Sequence, residues 1–360
     1  MPKPPHIHGL ILAGGRGTRF WPRSRQKRAK QILKFFGERS LIQQTVDRLK
    51  TLIPGERIWI ITNDHLRPEI LSQLPEVPPG QVLAEPVGRN TAPAIGLAAQ
   101  ILEEVDPGSL MGVFPADQLV ARPARYIRLL RPAFRAAAQG NIAVLGMQPL
   151  WPETGFGYIE FPSRVKPGLL EALPVKSFRE KPDLKTAKKF VSSGRFCWNA
   201  GMFFFRNSVY LHALREYLPH TATLLASLPP FRSPEFSARL KKTFPLCENI
   251  SVDYAVMEKA KNVVGVAADD VGWSDVGTWN ALWELGARKP ADNVTRGDFL
   301  PIDSSGNYVD VQGKLVALVG VHNLVVVDTE DALLIADRTQ SQRVGEVVKL
   351  LEKQKRAGLL

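Results

Sequence analysis

Apolar residues come in short blocks over the first 150 positions. Runs at Ile7–Leu12, Arg57–Ile61, Gln81–Ala84, Leu110–Phe114 and Ile142–Gly146 have strand length and little polar interruption. Between them, segments near Leu41–Leu52, Ala92–Glu104 and Tyr126–Ala138 carry apolar residues at helical spacing. Near-continuous apolar strands interleaved with helices predict a mostly parallel sheet flanked by helices, a Rossmann-like α/β layout. From about Gly155 to Leu285 the pattern is mixed, with strands expected at Gly157–Phe161, Val175–Glu180 and Met202–Phe205. After Pro290 the chain turns to short β runs at Gly297–Leu300, Tyr308–Val311, Leu315–Val319, Leu324–Val327 and Ala332–Ile335, punctuated by polar turns such as Ser304-Ser305-Gly306-Asn307. This predicts a small C-terminal β module, closed by an amphipathic helix over Gln340–Leu351 with Val344, Val347, Val348 and Leu351 on one face. The expected boundaries are one domain over 1–288, with halves at about 1–150 and 151–288, and the module with its helix over 289–360.

In open parallel sheets, ligands bind beyond the C-terminal strand ends, and three unusual segments fall there. The first is the loop after the opening strand. Gly14, Gly15 and Gly17 let the backbone turn its N–H groups toward an anion, and Arg16, Arg19 and Lys30 add full positive charges, so the loop suits a triphosphate. It is not a dinucleotide fingerprint, because Phe20 stands where that motif needs glycine, and it has no Gly-Lys-Ser/Thr of a Walker A loop. The plain alternative is a basic strand-to-helix turn. The second segment runs from Ala84 to Ala94, where Glu85 and Asn90 offer oxygen acceptors; Asn90 and Thr91 would equally cap the helix that follows. The third is Phe114-Pro115-Ala116-Asp117, which sets a carboxylate just past a buried strand. A further acid, Asp275 in Gly-Trp-Ser-Asp-Val-Gly-Thr-Trp, precedes a helix-like stretch over Gly277–Leu285 and reads equally as an N-cap.

The Ala13-Gly14-Gly15-Arg16-Gly17-Thr18-Arg19 loop followed by Lys30 resembles the signature of the sugar-1-phosphate nucleotidyltransferases. Its continuation through Trp21-Pro22 and Ser24-Arg25 resembles the mannose-1-phosphate guanylyltransferase branch, as does Glu85-Pro86-Val87-Gly88-Arg89-Asn90-Thr91. The resemblance runs from Ile7 to about Arg338. It implies transfer of GMP from GTP to mannose 1-phosphate with pyrophosphate leaving, without a covalent enzyme intermediate. It further implies Ala13, Gly14, Gly15, Gly17, Thr18 and Arg19 on the nucleotide, with Glu85, Asn90 and Thr91 against its base, where a carboxylate suits the guanine N1–H and N2–H₂ edge. Arg16, Lys30, Asp117 and Asp275 are the implied catalytic set, the two aspartates holding Mg²⁺ or another divalent cation. Gly157, Glu180, Lys181, Asn199 and Asp253 are implied on the sugar phosphate, with a surface turn at Glu180-Lys181 and a helix-start acid at Asp253 as the plain alternatives. Three positions depart from the family pattern: Ala29 for proline, Gln118 for histidine and Phe20 for leucine. The isomerase half of longer members has no room in this length, so the transferase activity alone is expected. A homodimer is implied by the same resemblance. The rival readings are a thymidylyl- or uridylyltransferase acting on glucose 1-phosphate, and a nucleotide-sugar sensor without turnover.

Composition narrows this little. The net charge of +12 and pI of about 9.7 invite nucleic-acid binding. Much of the excess, however, lies in the glycine-loop region and in scattered solvated positions, with no accompanying RNA- or DNA-binding motif, so no nucleic-acid partner is expected. No apolar run approaches the ~18 residues of a membrane span, and the first strand ends in the loop rather than at a cleavage site. Two cysteines, Cys197 and Cys247, are too few for a disulfide framework. A cytoplasmic location is expected.

Overall fold

A computed structural model describes residues 5–360. By contacts the chain forms two compact units, of which the first comprises residues up to Gly14, Val46–Ala116 and Val120–Trp273. Its 10-stranded sheet has the order Val82–Glu85, Ile58–Asn63, Ile7–Leu12, Leu110–Pro115, Phe196–Arg206, Ile142–Met147, Val263–Ala267 and Leu173–Pro174, with Gly157–Glu160 and Ser177–Glu180 branching off. The four strands at the Val82–Glu85 end pair in parallel, as the apolar runs predicted. Helices Thr91–Val105, Pro123–Ala138 and Asn207–Tyr217 pack around this sheet, burying Leu10, Ile61, Val113, Val144 and Phe203 among Ile95, Leu102 and Leu214. Burial on both faces explains why these strands read as unbroken apolar runs.

Two strands depart from expectation. Phe196–Arg206 is far longer than the expected Met202–Phe205 and lies antiparallel between Leu110–Pro115 and Ile142–Met147. Its register shifts between Asn199 and Phe203, so the polar Asn199-Ala200-Gly201 stretch that reads as a break is a bulge inside one strand. Val263–Ala267, parallel to Ile142–Met147, has no strong sequence signature because two of its five residues are glycine or alanine.

The second unit comprises Gly15–Thr45, Asp117–Leu119 and Ser274–Leu360. This division falls elsewhere than the expected boundary at 288, and the reason is aromatic packing. Phe20 lies 4.9 Å from Phe35 and 5.1 Å from Trp279, and Trp279 lies 5.6 Å from Tyr308 of the β module. These rings, with Trp21, Leu33, Val325, Val344, Val348 and Leu351, make one core out of the glycine-loop segment, the helix Trp279–Gly286, the β module and the helix Val344–Lys353.

In the module, Val294–Ile302 pairs in parallel with Tyr308–Val319, which pairs in parallel with Leu324–Asp328. Parallel pairing of consecutive strands across connections this short makes rungs of a β-helix, and Leu333–Asp337 closes the stack antiparallel. Tyr308–Val319 is continuous where two runs were expected, passing straight through Gln312-Gly313-Lys314. The corners are held by asparagines. Asn307, fully buried, donates from Nδ2 to Asn293 Oδ1 (3.0 Å) and to Val321 O (3.3 Å), and accepts from Leu324 N (2.8 Å). Asn307→Ala strands those groups, so the protein is expected to lose about 1–3 kcal/mol of stability. Urea unfolding checks this, and an unchanged midpoint would show that the corners hold without the asparagine.

Candidate active site

The candidate residues fall in both units. In the second unit the loop is built around Gly17, which has φ +63° and where an added Cβ would collide with Lys30 Cβ. Only glycine allows both the left-handed backbone and that approach. Gly17 O accepts from Ser24 Oγ (2.7 Å), and Gly15 O accepts from Gln31 Nε2 (3.1 Å), fixing the loop from two sides. Thr18–Phe20 then forms one 3₁₀ turn.

Lys30 is buried, 5% exposed, and this distinguishes it from a free phosphate-binding cation. Its Nζ donates to Asp117 Oδ2 (2.9 Å) and to the backbone oxygen of Asp275 (2.5 Å). Two aspartates 158 positions apart in sequence therefore meet at one ammonium. Neither is a helix cap: Thr278, accepting from Ala281 N, caps the helix Trp279–Gly286, and Asp117 precedes no helix directly. Among the described residues no group of three or more His, Cys, Asp and Glu is gathered as a metal cluster. The Asp117 carboxylate and the Asp275 backbone oxygen converge on the Lys30 ammonium, and Asp117 and Asp275 are hard oxygen donors of the kind a Mg²⁺ takes alongside phosphates and water. Arg16 and Arg19 are not spread open. Arg16 Nη1 pairs with Glu352 Oε1 (2.8 Å) and Arg19 Nη1 donates to Gln342 Oε1 (2.8 Å).

In the first unit Ala13 is fixed in the sheet, its N donating to Ile61 O and its O accepting from Thr62 Oγ1. Gly14 follows beside Glu85, whose Oε2 would lie 3.5 Å from an added Cβ there. Glu85 is only 8% exposed, its Oε1 is buried with no partner, and burial pushes its carboxyl up to about 8. A buried carboxyl without a partner at a strand end, held neutral by burial, becomes a strong acceptor once donors arrive to favour its ionised form. Asn90 is the N-cap of Thr91–Val105, accepting from Thr91 N, so the capping reading holds for it. Thr91 Oγ1 accepts from Val252 N, which leaves its hydroxyl proton to donate elsewhere.

The sugar-side residues are drawn together in this same unit. Gly157 pairs in register with Glu180, and an added Cβ would collide with Glu180 Oε2, so the glycine makes room for that carboxylate. Glu180 Oε2 is buried without a partner while Oε1 pairs with Lys181 Nζ (3.2 Å); burial, then the charge of Asp253, raises its pKa. Lys181 has φ 47°, a conformation that non-glycine residues hold under strain. Asn199 Nδ2 donates to Asp253 Oδ1 (2.9 Å), and burial raises the Asp253 pKa. Asp253 also opens the turn Asp253–Met257, so its helix-start reading stands alongside. An aromatic wall not foreseen from sequence stands here too: Trp198 stacks edge-on with Trp151 (4.8 Å) and Phe156 (5.3 Å), and Phe156 with Trp273 (5.5 Å).

Sequence reading also missed the anchors of the loop. Arg23 holds Asp310 with two bonds, Nη2 to Oδ1 (2.6 Å) and Nε to Oδ2 (3.1 Å), and Arg25 pairs with Asp331 (2.7 Å). Partners so distant in sequence, 287 and 306 positions away, leave no local signal. Only the surplus of arginines in the loop hints at them.

A model of the nucleotidyl transferase family matches residues 8–290, and one described as a MannoseP isomerase/GMP-like beta-helix domain matches residues 297–351. A mannose-1-phosphate guanylyltransferase of Salmonella muenchen is 38% identical over 349 residues, covering 95% of this chain and 73% of its own. An alginate biosynthesis protein, AlgA, of Pseudomonas syringae pv. tomato is 40% identical over 355 residues, covering 96% and 72%. A solved structure from Thermus thermophilus, titled mannose-1-phosphate geranyltransferase, superposes with a TM-score of 0.85 at 32% identity, covering 96% of this chain and 99% of that one. No helix among the described residues is long and apolar enough to cross a membrane. With its glycine loop, parallel sheet and β-helix module, the chain belongs to the nucleotidyl transferase family of enzymes, in the branch of the mannose-1-phosphate guanylyltransferases.

Proposed function

We propose that this enzyme transfers GMP from GTP to mannose 1-phosphate, giving GDP-mannose and pyrophosphate. The observation that carries the reading is the meeting of Asp117, Asp275 and Lys30 beside the glycine loop. A phosphate oxygen of the sugar attacks the α-phosphorus in line; the new O–P bond forms as the bond to the β-phosphate's bridging oxygen breaks, and its electron pair leaves with pyrophosphate. No protein nucleophile is needed, and positioning with charge neutralisation supplies the catalysis. Arg16, Arg19 and the loop N–H groups hold the triphosphate, and Lys30 fixes Asp117 and the Asp275 backbone in place. A divalent cation on Asp117 and Asp275 supplies Lewis-acid charge neutralisation at the phosphates when bound. Glu180, Lys181, Asn199 and Asp253 take the sugar phosphate, and the enzyme works as a homodimer in the cytoplasm.

Glu85 reads guanine through N1–H and N2–H₂. Glu85→Gln faces a donor with a donor, so kcat/KM for GTP should fall about 10–100-fold, the worth of a charge-assisted hydrogen bond. ITP, which lacks the N2 amine, should lose less. Pyrophosphate release with mannose 1-phosphate and Mg²⁺ measures both. Equal losses would move base reading away from Glu85, and a wild-type enzyme that turns over dTTP or UTP with glucose 1-phosphate instead would overturn the reaction. Protonation gives a second readout. The folded carboxyl titrates near 8 against an ordinary 4.5, so the stability it contributes is complete below 4.5 and lost as pH rises through 8. Glu85→Gln, which cannot ionise, should escape that loss.

A further inference from the structure

We infer that Glu352 is an affinity-setting residue: an internal carboxylate that competes with substrate phosphates for Arg16 and so restrains triphosphate and pyrophosphate binding. The inference rests on the phosphate role proposed for Arg16. The helix Val344–Lys353 is fixed on its apolar side, where Val344, Val348 and Leu351 join the core of the second unit. Its first turn lies against the loop, since an added Cβ at Gly345 would sit 3.5 Å from Thr18 Oγ1 and 3.7 Å from Arg19 Cγ. Its last turn carries Glu352 onto Arg16 at 2.8 Å, and just before the helix Gln342 accepts from Arg19. Both loop arginines thus spend a guanidinium N–H on acceptors offered by the C-terminal segment, one of them a full negative charge. Arg16 and Glu352 are each about half exposed, at 47% and 40%, so the pair is weak enough for a polyphosphate to displace. A cavity of only about 10 Å³, lined in part by Arg16, Thr18, Ser24, Arg25 and Val348, lies beside the Arg16 guanidinium. Because Glu352 holds Arg16 before phosphate binds and recaptures it as pyrophosphate leaves, it exchanges ground-state affinity for release.

The test is direct binding of inorganic tripolyphosphate and pyrophosphate by calorimetry to the wild type, Glu352→Gln, Arg16→Gln and the double variant. Glu352→Gln is expected to bind both about two- to fivefold tighter at low salt, the range of an exposed ion pair, with the gain shrinking in about 0.5 M NaCl. In the Arg16→Gln background the same change should do nothing. Unchanged or weaker binding by Glu352→Gln overturns the proposal; if Arg16→Gln still binds more weakly than wild type, the phosphate role of Arg16 survives that failure. Arg16→Gln binding like wild type removes the phosphate role itself. Tightening that persists in the double variant overturns the competition for Arg16.

Discussion

Asp117→Asn and Asp275→Asn are each expected to lower kcat about a hundredfold or more and to raise the Mg²⁺ concentration needed for half-maximal rate. On the mechanism proposed above, each change removes one formal charge from the shell of the bound cation while keeping the side chain's size, and metal charge stabilisation is worth several kcal/mol in such transfers. Thr278 already caps the helix after Asp275, so a capping loss does not explain an effect there. Melting temperature without ligand should hardly move for Asp275→Asn. Asp117→Asn removes the charge facing the buried Lys30 ammonium, so a stability loss of about 1–3 kcal/mol is expected for that variant alone. Rate measured against Mg²⁺ concentration decides the matter: two variants that saturate like wild type would remove the cation from both residues.

Lys30→Ala should fail on two counts, rate and stability. The wild-type ammonium is 5% exposed, lies 5.7 Å over the Phe20 ring, and joins the Asp117 carboxylate to the Asp275 carbonyl. Removing it leaves two negative poles facing each other and a gap beneath Gly17. A fully buried pair broken this way costs about 3–5 kcal/mol, and the partial exposure of Asp117 brings the expectation to about 1–3 kcal/mol. Lys30→Arg should not rescue, because the larger planar head does not fit against Phe20 between two oxygens. A double-mutant cycle with Asp117→Asn should show strong non-additivity in kcat, since both act through one cluster. Wild-type melting and wild-type rate in Lys30→Ala would refute the assignment together.

The opening strand, the helices around Ala92–Glu104 and Tyr126–Ala138, and the glycine loop were legible because each is dictated locally, by an apolar period or by a backbone only glycine permits. The positions of Glu85 and Asp117 just at or past strand ends were legible too, because each follows an apolar run. What was not legible is what distant partners decide. Lys30 reads from sequence as a cation for phosphate, yet in the fold it is buried between acceptors from residues 117 and 275. Arg16 and Arg19 read as open, yet they face Glu352 and Gln342. The strand Phe196–Arg206 hides behind its own bulge, because the residues that bend it are the polar ones that make it look broken.

The aromatic and ionic ties between residues 20–35 and the β module also set an order of events in synthesis. Arg23 waits for Asp310, and Phe20 waits for Trp279 and Tyr308, so the loop is synthesised well before the residues that give it its shape. The parallel strands Ile7–Leu12, Ile58–Asn63 and Leu110–Pro115 pair long before that. A nascent chain thus holds part of its sheet with the glycine loop unanchored for about 200 residues of elongation, with contacts whose loop closure is slow. The shape of the glycine loop is therefore gained late, in one step with the packing of the β module.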